Sequence, residues 1–515
     1  MELIEELQTH SRDDGNHPFS LELSPEEIVQ VYPKSINHLD GDSFFMGRSG
    51  GAKYLFIKFG EGRQSVLSKF QGEEVRAIAS LKQCPLNHEN AVALQELFDF
   101  TRPGLVGLRD SIGFGDRLGI ANPGHLRSII GTQLGVVLAQ QSIRELERTN
   151  RTPAEVMDAA IWAVFQEGYK QGFGADADHL KTTEHVDRMM RAGFKMFTFD
   201  PSAFVVNEAA TLPAGEISSR LKSLPWEALA DTPDAIRVRY EDKTFRISDD
   251  LEIHATADEF RRALVKYGGV IAHAALLNRH LEEKYPGVAV EIELSVDETD
   301  SPTTPFEHFL IANELKRLGV RLTSLAPRFV GDFEKGIDFK GDVDFFKREY
   351  IKHATLAEAL GPYKLSIHSG SDKFTAYDAI GSLPIGHVHV KTAGTSYLEA
   401  LRTLAEKEPA LFGEILNFSR NRFEADRASY HVSAELSRVP TAGECPPERY
   451  PDLLEENNAR QVLHVTFGSV VTDRQDSGQG TFKFRILSAL DQHEERHYEI
   501  LRRHFRRHIE PFLGR

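Results

Sequence analysis

Histidines and carboxylates recur in this sequence at the ends of short β-like runs. Asp176, Asp178 and His179 stand together in GFGADADHLK, Asp200 closes KMFTFD, and Asp297 and Glu298 follow EIELSV. His368 closes KLSIH ahead of SGSDK, and His387, His389 and Lys391 alternate in HVHVK. Two or three imidazoles and a carboxylate with coordination positions left open form the donor set of a catalytic divalent cation such as Zn, Mn or Ni. His179, His308 and His368 are the candidate ligands. His368 is followed by small residues that let a ligand approach, and His179 has neighbouring carboxylates to orient a metal-bound ring. The plainer alternatives are an acidic helix start for DADH, a surface histidine of an amphipathic helix for His308, and a ring that binds nothing for His368. His389 is the nearer of its pair to the strand end and a candidate to touch substrate. Lys391 admits either a Schiff base or a contact to a substrate carboxylate.

The elements that must position these groups follow from periodicity. Val288–Asp297 reads as a strand. Thr304 and Glu307 then form a capping box with Pro305 at the first helical position, starting a helix over Pro305–Leu318 that Gly319 stops. Further strands are predicted at 105–110, within 167–178, and at 194–200, 320–324, 363–368, 387–391 and 429–433. Helices follow several of them, including 131–146 and 396–407. Eight such units are the count of a (β/α)8 TIM-type barrel, whose site lies at the C-terminal strand ends. A doubly wound sheet wants fewer strands and a phosphate loop, and GFGDRLG is neither GxGxxG nor a Walker loop, so a nucleotide cofactor has no support.

Around the barrel, predicted over 104–436, the chain divides into an N-terminal α/β cap over 1–103 and a helical extension over 437–515. The cap contains a strand at Tyr54–Lys58 and helical spacing over Ser65–Leu81. An insertion at about 205–258, with a hairpin over 236–240 and 243–248, falls between the third and fourth units. Among 515 residues, 41% are hydrophobic and 27% charged, an ordinary soluble composition. The net charge of −16 argues against a nucleic-acid partner. Two cysteines cannot staple the chain, MELIEELQTH has no leader pattern, and no apolar run spans a membrane, so a cytoplasmic protein is expected.

Several strings together, GLRDSIGFGDRLGIANPGH, GFGADADHLKT, SVDETDSPTTPFEHF, SLAPRFVGDFEKGIDFKGD, KLSIHSGSDKF and HVHVKTAGTSYLEALR, resemble the tagaturonate/fructuronate epimerase family. The likeness is thinnest over the first hundred residues and the insertion. It implies a metal-dependent enzyme that interconverts D-tagaturonate and D-fructuronate at C4. The C4 hydrogen is not acidified by the C2 ketone, so retro-aldol cleavage of C3–C4 and re-addition to the other aldehyde face is the expected route. Two opposed carboxylates must take and return a proton. Asp178 and Glu298 are the expected pair, with Asp297 in reserve. Arg109, Arg328 and Lys373 are candidates for the substrate carboxylate. The competing readings are a metal-dependent aldolase or isomerase of another sugar acid, and a sugar-acid-binding protein without catalysis. The expected partner is a small sugar acid, with homo-oligomer formation left open.

Overall fold

Eight parallel strands close into a barrel in the computed structural model, which describes residues 17–60, 68–474, 478 and 480–514 together with Leu3, Leu7 and Thr9. In chain order they are β1 (Ser111–Gly115), β2 (Gly135–Ser142), β3 (Gly174–Leu180), β4 (Met196–Phe199), β5 (Glu291–Val296), β6 (Leu322–Pro327), β7 (Lys364–Ile367) and β8 (His387–Thr392). Each pairs in parallel with the next, and β8 closes on β1 with His389 opposite Ser111. Nearly every strand residue is buried, because one face meets the barrel interior and the other the helices. The helix after β5 runs Pro305–Arg317, with the Thr304/Glu307 box formed in both directions.

Four expectations move. The first strand begins at Ser111, where 105–110 was expected, and this places Arg109 and Asp110 ahead of the strand. Gly135–Ser142, expected as part of a helix over 131–146, is β2; its helix begins only at Ile143. GVVLAQQS is buried on both faces and so lacks the alternation that marks a half-exposed strand. Residues 429–433 form no strand; Tyr430 and His431 lie over the barrel mouth instead. With β2 counted, the insertion falls between the fourth and fifth units. It holds helices Ala214–Lys222 and Pro233–Tyr240, and its hairpin pairs Thr244–Arg246 with Glu252–His254, later in the chain than expected. Thr232 as N-cap and Pro233 at the first helical position explain the helix at 236–240.

Ahead of the barrel stands a seven-stranded antiparallel sheet between Phe19 and Pro85, which includes Ala52–Lys58. Residues 65–67 of the expected helix lie outside the described residues, 68–80 form turns and the short strand Glu73–Glu74, and Leu81 opens the strand Leu81–Pro85. The helix Glu494–Ile509 joins distant parts. Glu494 accepts from Tyr32 and Tyr498 and pairs with Arg48 and Lys53 of the sheet. One turn from its end, His504 and His508 meet Asp372 beyond β7. No helix among the described residues is long and apolar enough to cross a membrane.

Candidate active site

The C-terminal mouth gathers Asp178 and His179 from β3, Asp297 and Glu298 after β5, His368 after β7 and Lys391 from β8 around one chamber. Consecutive strand residues ordinarily face opposite sides. Asp178 and His179 both reach the chamber because His179 takes a left-handed backbone, φ 51°, where the β3–β4 register shifts between Ala177 and Leu180.

Both imidazoles are set among carboxylates. His179 Nδ1 is 3.2 Å from Asp200 Oδ2, and its Nε2 lies 3.8 Å from Asp178 Oδ2. His368 Nε2 is 2.7 Å from Glu293 Oε1, with Nδ1 3.1 Å from Asp297 Oδ1. The two rings meet edge to face, 5.2 Å between centroids. A buried carboxylate on one ring nitrogen, with the other nitrogen directed at further carboxylates, is how a metal-binding histidine is oriented. His179, His368 and Asp297 are thereby candidates to hold a cation at the mouth.

Beneath this set, Lys391 Nζ lies 2.7 Å from Asp176, 2.8 Å from Asp178, 2.7 Å from Glu293 and 2.7 Å from Thr198 Oγ1. Five carboxylates (Asp176, Asp178, Asp200, Glu293 and Asp297) thus share Lys391, two imidazoles and, at Asp200, Lys181. Burial opposes ionisation of Asp178, but His179 and Lys391 overcome it and hold the group at about 2. Burial raises Asp176 to about 6. Burial would depress both histidines, yet the carboxylates win: Asp178 and Asp200 lift His179 to about 9, and Asp297 is the leading influence lifting His368 to about 10.

Of the other expected residues, His308, Lys373, Arg109 and His389 lie outside the chamber, Arg328 lines the adjoining cleft and Lys391 lines the chamber itself. His308 is buried between His353 (2.9 Å) and Tyr363 (2.7 Å), and burial holds it well below its ordinary pKa. Its ring packs on His353 and Tyr363, outside the residues that line the mouth. Lys373 Nζ is sequestered by the carbonyls of Glu334, Ile337 and Ser371, and burial lowers it to about 7. Arg109 donates to the Val106 carbonyl ahead of β1, at the opposite end of the barrel from the mouth. His389 faces the interior below the chamber, with Nδ1 2.9 Å from Ser111 Oγ. Arg328 lines the outer cleft and donates to the Thr299 carbonyl. Lys391 is engaged by carboxylates. Sequence reasoning missed Glu293, which sits mid-strand in EIELSV; a carboxylate at a doubly buried position was its available signal. It also missed Arg117, Arg144 and Lys335 on the chamber wall, which lie on connecting segments.

The chamber, about 60 Å³, opens into a cleft of about 350 Å³ that shares Arg144, Glu298, Lys335 and Tyr430 with it. Behind the mouth is a second cluster, Asp372, His504 and His508, with ligand atoms within 4.8 Å of one another, a spacing able to hold a metal ion. There Arg460 Nη2 is 2.6 Å from Asp372 Oδ2, His504 Nε2 is 2.5 Å from Oδ1, and the Asp372 amide donates to His508 Nε2. These groups satisfy one another, and the cluster ties helix Glu494–Ile509 to the β7 loop.

A closed parallel barrel with ionisable side chains from several strands gathered at its C-terminal mouth is the layout of a barrel enzyme. The family model for UxaE, tagaturonate epimerase, matches residues 32–512, and this chain belongs to that family. A tagaturonate/fructuronate epimerase of Thermotoga maritima is 41% identical over 485 residues, covering 94% of this chain and 97% of that protein. A glycerol-complexed crystal structure of the fructuronate-tagaturonate epimerase UxaE from Cohnella laeviribosi superposes with a TM-score of 0.87. It is 40% identical, over 94% of this chain and 96% of the other. The native crystal structure of that enzyme gives the same TM-score at 39% identity.

Proposed function

We propose that this protein interconverts D-tagaturonate and D-fructuronate by epimerisation at C4, with a divalent cation held by His179, His368 and Asp297. The observation that supports the cation is the pair of imidazoles set among buried carboxylates, His179 between Asp200 and Asp178 and His368 between Glu293 and Asp297. When bound, the cation supplies Lewis acidity at the substrate's C2 ketone. The protein's own groups handle the proton. Asp178, kept ionised by its cationic neighbours, takes the C4 hydroxyl proton as the C3–C4 bond breaks. The bond's electron pair passes to C3 and the C2 carbonyl, giving an enediolate, and C4 becomes an aldehyde. The aldehyde turns, C3 attacks its other face, and Glu298 returns a proton to the new C4 oxygen; the reverse reaction exchanges the roles. Glu298 is exposed at the junction of chamber and cleft, so it can exchange protons with solvent. Lys391, held by Asp176, Asp178 and Glu293, positions the carboxylate layer and does not serve as a Schiff base.

The test is a proton NMR time course on D-fructuronate with the chelated enzyme, before and after divalent cation is restored. The expected result is accumulation of D-tagaturonate only with cation. Free three-carbon products in place of tagaturonate would make the protein an aldolase, and binding without turnover would make it a sugar-acid binder. Equal rates with and without cation would remove the metal from the mechanism.

A further inference from the structure

The chamber wall carries both signs of charge: Glu145, Asp178, Asp297 and Glu298 line it together with Arg117, Arg144 and Lys335. Of the three cations, Arg117 is the most enclosed, 5% exposed in the loop beyond β1. Its Nε donates to Glu145 at 3.0 Å, Nη2 lies 3.4 Å from His464 Nε2, and its guanidinium stacks 3.6 Å above the Phe467 ring. Nη1 is buried with no partner. A buried guanidinium N–H left unmatched is an expensive arrangement unless a ligand completes it.

A second donor set adjoins it. Gly394, on the same chamber wall, is the N-cap of helix Thr395–Lys407, and no side chain caps that helix. The side chains of its first turn are turned away: Thr395 Oγ1 reaches Asp372, and Ser396 Oγ reaches the Gly115 carbonyl. A Cβ at Gly394 would come within 2.1 Å of the His464 ring, so backbone and imidazole are in close contact and only glycine fits. An uncapped helix start favours an anion, and a guanidinium matches a planar carboxylate.

We propose that Arg117, together with the uncapped start of helix Thr395–Lys407, binds the carboxylate of the sugar acid and sets the preference for uronates over neutral ketohexoses. This rests on the epimerase reading above and extends it. Retro-aldol cleavage leaves C4–C6 as a 2-hydroxy-3-oxopropanoate, which carries the carboxylate. Holding that end lets the aldehyde rotate about C4–C5 without escape, and this separates an epimerase from an aldolase.

The experiment is calorimetric titration of the full-length enzyme with D-fructuronate and with D-fructose, which has CH₂OH in place of the carboxylate. Arg117→Gln is expected to weaken fructuronate by about 10–100-fold, the range of a charge-assisted hydrogen-bond pair, and Arg117→Lys by less. Fructose affinity should stay within about threefold, since it makes no such pair. Ala393→Asp, which brings a carboxylate to the same wall at a half-buried position, should weaken fructuronate selectively even if Arg117→Gln fails to fold. An unchanged fructuronate affinity in the folded Arg117 variant or in Ala393→Asp, or a parallel loss of fructose, overturns the proposal. Binding is read apart from turnover, so a wild-type enzyme that binds fructuronate but forms no tagaturonate would refute the epimerase reading and leave this one standing.

Discussion

Replacing Lys391 by methionine would expose the charge balance of the barrel interior. One ammonium serves Asp176, Asp178 and Glu293 at 2.7–2.8 Å, all of them buried. Removing the cation from a buried pair typically costs about 3–5 kcal/mol, because the abandoned carboxylates stay desolvated. Thr198 and Ser324 still donate to them, so the lower end is expected at pH 7.5 with cation chelated. The sign of the pH dependence then differs from wild type. In wild type, burial works against Asp178 and Glu293, but Lys391 and the histidines hold both pKa values low. Their stabilisation is present above the unfolded carboxylate range and fades as pH falls through it. In the variant, burial unopposed by Lys391 raises them, so the folded state binds protons that the unfolded chain does not. The deficit should shrink between pH 7.5 and 5.5. Urea unfolding followed by tryptophan fluorescence at both pH values measures it, and adding Glu293→Gln should recover part of the loss. A variant within about 0.5 kcal/mol of wild type at pH 7.5, or one whose deficit grows on acidification, would refute this account of the layer.

Asp178→Asn and Glu298→Gln should each lower kcat for fructuronate by about 10²–10⁴-fold, the span of a lost general acid or base, with KM changed far less; full activity in both would discard the pair. Burial works against Glu494, but Lys53, Tyr498 and Tyr32 lower it to about 2. Its contribution is present above its ordinary value of 4.5 and lost as pH falls toward 2. Glu494→Gln should therefore destabilise by up to about 3 kcal/mol at pH 7, and the gap to wild type should fall to roughly half by about pH 3 and close only below about pH 2, as read from denaturant midpoints.

Much of the barrel was legible because its strands end in polar residues. TFD, SVDE, LSIH and HVHVK stand where β4, β5, β7 and β8 reach the mouth. The count of eight was reached through two offsetting errors. SYHVS alternates like a strand but runs as irregular chain over the cleft, and the uniformly buried β2 resembles a helix face in a sequence without alternation. Placing the first strand before Ser111 put Arg109 at the wrong end. Positions along a strand were thus readable, whereas facing was not. His308 and Lys373 belong to the right segments, but buried partners (His353 and Tyr363 for one, three carbonyls for the other) claim them. Except for the Ser371 carbonyl, those partners come from remote parts of the chain, which no local pattern reveals.

The clasp between the sheet and helix Glu494–Ile509 has a consequence for biosynthesis. Arg48 and Glu494 are 446 residues apart. At about 5–20 residues per second, translation delivers the carboxylate roughly 20–90 s after the guanidinium. Throughout that interval the nascent sheet keeps Arg48 and Lys53 without Glu494. Ribosome-bound chains halted before Glu494 should therefore be cut by protease at the sheet much faster than finished ones.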